Sequence, residues 1–423
     1  MIYLDYNATT PLCDAAREAM LPYLGRHFGN PSSVHAAGRE ARAAIDNARD
    51  KLAGLLHIKP HEIIFTSGGT ESCNLAVLGL ARRRSLGGGH IISNKAEHHA
   101  VLNALEYLEK YEGFEVTWLN VARDGIVDLD QLSKSIRPDT RLVSIMAANN
   151  ETGVIQPMRK ISQICRGHNV LLHTDMVQAF GKMPVVIPSD TACPPWREKS
   201  RDPASKLMPR DPSTPLRFSQ DDGVDLSLVD AASFAAHKFY GPKGVGFLYL
   251  RSGLSIQPIM FGGAHENERR PGTENVAAIA AMAAAAEWTL RDHESEQERQ
   301  AELCDDLWTR ISQNVPDAKQ NGQNAPRLAN TLNVSLLGLE SEMLLIALDL
   351  EGVCASSGSA CMVGSVVASH VLLAMGLPIE RARSAVRFSL GKWTTADEIK
   401  RVGDAMGKIV DRLETRKSAY AVA

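Results

Sequence analysis

Between residues 40 and 250, short apolar runs alternate with helix-length amphipathic patterns, and this alternation constrains the fold more than any other feature of the chain. Ala41, Ile45, Ala48, Leu52, Leu55 and Leu56 recur at helical spacing. Apolar runs follow at 62–65, 90–93, 116–121, 142–147 and 170–175, separated by helical patterns at 70–84, 99–111 and 158–168. Strands this short and this apolar are buried on both faces. Alternating with helices, they predict an α/β domain around a mostly parallel sheet. Two further runs, 230–236 and 244–250, complete the sheet on either side of Lys238.

After residue 258 the pattern changes. A long helix is predicted from Val276 through the charged stretch 291–306, then a strand at 332–336, a helix at 342–350 and a last amphipathic helix at 395–413. With 423 residues, two cores are the natural division. The boundaries read as a large α/β domain over 14–257, and a smaller α+β domain made of 1–13 with 258–423. Residues 188–222, rich in Pro, Ser, Asp, Arg and Lys, read as a disordered or surface excursion within the large domain.

The formal net charge of -3 supplies no field that would recruit nucleic acid or an anionic membrane. The longest apolar run, 276–288, is too short to span a bilayer. The opening Met1–Tyr6 shows no basic stretch leading into an apolar core, so no secretory signal is expected. Seven cysteines, none in a Cys-x-x-Cys pair, argue against a disulfide framework and an intrinsic metal site. A reducing cytoplasm is the expected compartment.

Three constellations carry chemistry. Ser67-Gly68-Gly69-Thr70-Glu71 lies between a strand and a helix, a junction whose free N–H groups and dipole suit a phosphate. Asp175 ends an apolar run, where it is either a helix N-cap or a ligand at the sheet's C-terminal edge. Lys238 ends another, where desolvation favours its neutral amine; Lys243, in a Gly-Pro-Lys-Gly turn, is the structural lysine of the two. A nucleophilic lysine, a phosphate cradle and a carboxylate fit pyridoxal phosphate. Farther on, Ser357-Gly358-Ser359-Ala360-Cys361 sets a thiol among small residues. By itself Cys361 reads as a packing residue or as a mobile carrier. The cofactor constellation favours the carrier. Cys354, in the preceding apolar run, reads as packing.

With these motifs stand Tyr3-Leu4-Asp5-Tyr6-Asn7-Ala8-Thr9-Thr10-Pro11, Gly29-Asn30-Pro31-Ser32-Ser33-Val34-His35, Ala148-Asn149-Asn150-Glu151-Thr152-Gly153 and Arg270-Pro271-Gly272-Thr273-Glu274-Asn275. In this order the chain resembles, almost end to end, the class V aminotransferase family and within it the NifS-type cysteine desulfurases. The resemblance implies a pyridoxal-phosphate-dependent, aminotransferase-like fold of type I. It implies that Lys238 forms the Schiff base, that Gly69, Thr70 and His237 hold the phosphate, and that His98 stacks over the ring and shuttles protons. His99 is structural. Asp175 pairs with the pyridinium nitrogen, and Asn150 and Gln178 orient the ring. Thr273 reaches the phosphate of the second subunit, which implies a homodimer. Arg387 forks onto the substrate carboxylate, with Asn30 and Arg381 as further substrate contacts.

The activity implied is conversion of L-cysteine to L-alanine, with Cys361 taking the sulfur as a persulfide for delivery to a scaffold or carrier protein of iron–sulfur or other sulfur-acceptor pathways. On such a partner Cys361 would make transient contact with a cluster. The alternatives are selenocysteine lyase, a non-catalytic cofactor-bound assembly or regulatory protein, and transamination of another amino acid, which would leave Cys361 idle. The chain departs from the resemblance in two places. Ala235 stands where many relatives carry a Ser or Thr phosphate ligand. Residues 362–370 are more apolar than the relatives' segment, which affects how the loop meets an acceptor.

Overall fold

A computed structural model describes residues 1–83, 88–183, 225–358 and 368–421. The 188–222 excursion and Cys361 lie outside the described residues. The strands are β1 (Ile2–Tyr3), β2 (Ile63–Thr66), β3 (Gly89–Asn94), β4 (Phe114–Leu119), β5 (Thr140–Ser144), β6 (Leu171–Asp175), β7 (Ala231–Ala235), β8 (Gly246–Leu250), β9 (Ala318–Gln320), β10 (Thr331–Leu336), β11 (Val353–Cys354) and β12 (Ala385–Ser389).

Seven strands form one sheet in the order β2-β8-β7-β6-β5-β3-β4. The β3–β4, β3–β5, β5–β6 and β6–β7 pairs are parallel; only β8 runs against its neighbours. The sheet is therefore mostly parallel, as the alternation predicts. Burial on both faces explains the apolar and small residues of β7. One face packs against helices Gly69–Ala81 and His99–Glu112 through Leu75, Leu80, Val101 and Leu105. The other packs against Ala36–Leu56, Met158–Gly167 and Val276–Arg291. The alanines of Val276–Arg291 suit this position, since small side chains let the helix lie close to Ala36–Leu56 and Asp14–Leu24.

A separate three-stranded antiparallel sheet, β12-β10-β9, has its own core built on Leu307, Ile311, Val334, Phe388 and Met406. The N-terminal strand joins this part of the molecule, with β1 beside β11. The predicted long helix after Val276 is two helices, Val276–Arg291 and His293–Asn314, broken at Asp292. The alanine-rich half is buried while the charged half is amphipathic, so the two halves follow different surfaces. The last helix runs to Ala421, past its predicted end.

Candidate active site

β2, β3, β5, β6 and β7 all point their C-terminal ends to the same edge of the large sheet. This is the crevice where open α/β sheets bind ligands. A cavity of about 310 Å³ lies there.

The turn after β2 opens the Gly69–Ala81 helix. Gly68 has φ 151°, a conformation reserved for glycine. A Cβ on Gly69 would come within 2.8 Å of Val177 Cγ2 and 3.3 Å of Ala235 Cβ, so the helix start can approach the cavity floor only without a side chain. The first intrahelical bond runs from Ser72 N to Gly68 O. The N–H groups of Gly69, Thr70 and Glu71 thus have no acceptor within the helix. Glu71 does not face the cavity as a counter-charge. It accepts from Ser67 N and from Arg270 Nε, both at 2.7 Å, and so ties the 270–275 motif to this turn.

Across the floor, Lys238 follows β7 and donates to the carbonyl oxygens of Asn7 at 2.6 Å and Ala8 at 2.8 Å. Asp175 closes β6, and its Oδ1 accepts from Val177 N at 2.8 Å. No helix follows Asp175, so it is not a helix N-cap; it braces the turn after β6 and lines the cavity. Burial raises its pKa, against the pull of His98. His98, at the start of the His99–Glu112 helix, accepts from Ala100 N through Nδ1 at 3.1 Å, which puts the neutral ring's hydrogen on Nε2. Burial lowers its pKa, opposed by Asp175. His237 is pushed down to about 4 by burial and the nearby Lys238.

Gly69, Thr70, Asn150, Gln178 and Arg387 line the same cavity. Arg387 reaches it from β12, fixed by Asp5 at 2.6 Å and by the Asn150 carbonyl at 2.9 Å. Thr273 and Asn30 are exposed and stand outside it. Arg381 is engaged elsewhere, with Asn321 Oδ1 at 2.8 Å and the Gln320 carbonyl at 3.0 Å. Lys243 is exposed. Cys354 sits in β11 with a raised pKa, chiefly from burial, which disfavours its thiolate. His99 faces His370, with ring centroids 4.5 Å apart.

Some residues of the site gave no signal in the sequence. Lys182 donates to Gln178 Oε1 at 2.6 Å and to Asn7 Oδ1 at 3.0 Å. Glu97 is fully buried and pushed up to about 8 by that burial. Glu151, in the quoted Asn-Asn-Glu motif, is buried beside Gly358 and Ser369. The short polar stretch between a buried strand and a helix could have flagged Glu97; nothing local could have flagged Lys182.

Comparison with known proteins decides the family. The profile of the family described as aminotransferase class-V matches residues 2–189 and 222–402. The chain belongs to the class V aminotransferase family. A "Cysteine desulfurase IscS" of Dictyoglomus turgidum is 44% identical over 98% of this chain and 95% of the relative. Another of that name, from Methanosarcina thermophila, is 40% identical over 97% and 92%. Among solved structures, a "NIFS-LIKE PROTEIN" superposes with TM-score 0.82 at 34% identity, covering 97% of this chain and 99% of its own. "SspA in complex with cysteine" gives 0.74 at 30%, covering 93% and 100%.

Class V aminotransferases of this kind are pyridoxal-phosphate-dependent, and the donor set fits that group. The free helical N–H groups suit a phosphate. A buried carboxylate with a raised pKa suits a cationic ring nitrogen, and a lysine amine lies on the same floor. Among the described residues, no group of His, Cys, Asp and Glu is placed to hold a metal ion. No described helix is long and apolar enough to cross a membrane.

Proposed function

We propose that this chain is a cysteine desulfurase, releasing alanine from L-cysteine and taking its sulfur onto Cys361 as a persulfide. The observation that carries the reading is the shared cavity: the Lys238 amine, Asp175, His98 and Arg387 stand around about 310 Å³ at one sheet edge. Lys238 would hold pyridoxal phosphate covalently, Asp175 would face its ring nitrogen, and the start of the Gly69–Ala81 helix with Thr70 and His237 would take the phosphate. Asn150 and Gln178 would orient the ring. When bound, the cofactor supplies an electron sink for the carbanion formed next to the substrate carbonyl.

In this reading Arg387 binds the substrate carboxylate by charge-assisted hydrogen bonds. Lys238 in its neutral form takes the α-proton, and His98 holds a proton at Nε2 on the same face. The thiolate of Cys361 then attacks the substrate sulfur. A sulfur–sulfur bond forms, the Cβ–S pair stays with carbon, the β-carbon takes a proton, Lys238 returns its proton to the α-carbon, and alanine leaves. The same reading takes the working form as a cytoplasmic homodimer, with Thr273 contributed to the neighbouring copy. It takes the destination of the sulfur as an acceptor protein of iron–sulfur or other sulfur-using pathways, and the chain's division as 14–257 against 1–13 with 258–423.

The test pairs Cys361→Ala with cysteine and a thiol reductant. The variant keeps the bound cofactor's visible absorbance and releases almost no sulfide. Sulfide release at the parent rate overturns the persulfide role.

A further inference from the structure

Asn7 joins two lysines. Its backbone carbonyl accepts from Lys238 at 2.6 Å, and its side-chain oxygen accepts from Lys182 at 3.0 Å. Gln178 closes the ring: its Nε2 donates to the same Asn7 carbonyl at 2.8 Å, and its Oε1 accepts from Lys182 at 2.6 Å. A backbone carbonyl can only accept, so the bond to Asn7 fixes which end of the Gln178 amide is nitrogen and leaves its oxygen to Lys182. One Nε2 hydrogen is spent on Asn7, which leaves the other to face the cavity that Gln178 lines. Asn7 is itself anchored by Asn330 and Thr331 of the smaller sheet.

The electrostatics reinforce the geometry. Among the described residues Lys182 bonds amide oxygens and no carboxylate. Burial holds its pKa well below the ordinary lysine value, and the positive charges of Lys238 and Arg387 add to the effect. Around the pair, His237 and Arg387 add positive or potentially positive groups. Asp175 is the carboxylate that interacts with Lys238 and pulls the other way. Glu296 lines a small cavity with both lysines, but its carboxylate is taken by Arg299 and Gln300.

We propose that Lys182 is a positioning residue for the lysine site: through Asn7 and Gln178 it fixes the acceptor of Lys238 and the orientation of the ring-facing amide, and a proton on either amine disfavours one on the other. A neutral amine is what a covalent lysine needs in order to act. Two amines in one buried ring of hydrogen bonds titrate as a pair that does not readily hold a proton on each. The proposal rests on reading Lys238 as the cofactor-bearing lysine.

The test measures the proton affinity of Lys238 directly. The full chain, freed of cofactor, is acetylated competitively across a pH series, and the extent at Lys238 is read by peptide mass spectrometry. In the parent the labelling midpoint falls below the free-lysine value of about 10.4. Lys182→Met raises it by about one to three units, the range expected on losing a near charge. Lys182→Arg restores the parent midpoint. Equal midpoints in parent and Lys182→Met overturn the proposal. Should Lys182→Met fail to fold, Lys182→Gln carries the same comparison. Borohydride reduction of the loaded enzyme, followed by mapping, reports separately where the cofactor is attached. Attachment elsewhere than Lys238 overturns the functional reading, whereas the midpoints decide the role of Lys182.

Discussion

Arg387 and Asp5 are paired at 2.6 Å, so the arginine expected to receive substrate already holds a carboxylate of its own chain. Its side chain is 3% exposed while that of Asp5 is 20% exposed, and Arg387 Nε has no hydrogen-bond partner among the described residues. The pair holds the guanidinium in place while leaving one donor for a second carboxylate. Lysine cannot reproduce that planar fork. Arg387→Lys is therefore expected to lower kcat/KM for cysteine by about 10- to 100-fold, mostly through KM, consistent with losing charged hydrogen bonds of about 1.5–3 kcal/mol. Steady-state alanine formation checks this. An unchanged KM with a lowered melting temperature would make Arg387 a structural ion pair only.

Ala235 offers a gain-of-function test. It is 1% exposed, lines the cavity and lies beside Gly69. Ala235→Ser adds a hydroxyl where the resemblance expects a phosphate ligand. The expected result is tighter cofactor retention by about 3- to 10-fold, the yield of one net hydrogen bond of roughly 0.5–1.5 kcal/mol. Equilibrium dialysis of the cofactor against the two proteins measures it. Weaker retention would mean the phosphate lies away from Ala235.

Lys238 gives the sharpest loss. Lys238→Ala is expected to abolish turnover, and its cofactor should wash out after borohydride treatment, whereas the parent keeps the label on the chain. Retained label in the variant would assign the covalent link to another residue, with Lys182 the nearest amine on the shared Asn7 network.

What the sequence disclosed follows from how far each signal reaches along the chain. β7 was legible because both faces are buried, which keeps its residues apolar or small, and Asp175 and Lys238 stood out as charged residues at the end of β6 and just past β7. The break at Asp292 was not legible, since alanine and charged residues both favour helix and only packing separates the two halves. β1 and β11 are too short to carry a period. Lys182 and Asn7 were missed for a different reason: they are 175 residues apart in the chain, and their meeting depends on the N-terminal segment crossing between the two sheets. Arg381 was a substrate contact only by resemblance, and in the structure it bonds the Asn321 amide just past β9.

Glu151 ties together residues from both sides of the segment that carries Cys361. Its carboxylate accepts from Ser369 Oγ, and a Cβ on Gly358 would lie 2.8 Å from its Oε2. The side chain is 1% exposed, and burial pushes the pKa from 4.5 up to about 6, against the pull of Ser369, Arg387 and His99. A raised carboxyl pKa means that the folded state binds more protons than the unfolded state between those two values. Stability is therefore unpenalised below about pH 4.5, falls as pH rises through the interval, and carries the full penalty of roughly 2 kcal/mol above about pH 6. Glu151→Gln keeps an acceptor for Ser369 without the charge. It should raise the urea midpoint relative to the parent at pH 8, and the gain should vanish at pH 4. The same difference at both pH values would show that Glu151 has the same pKa in the folded and the unfolded protein.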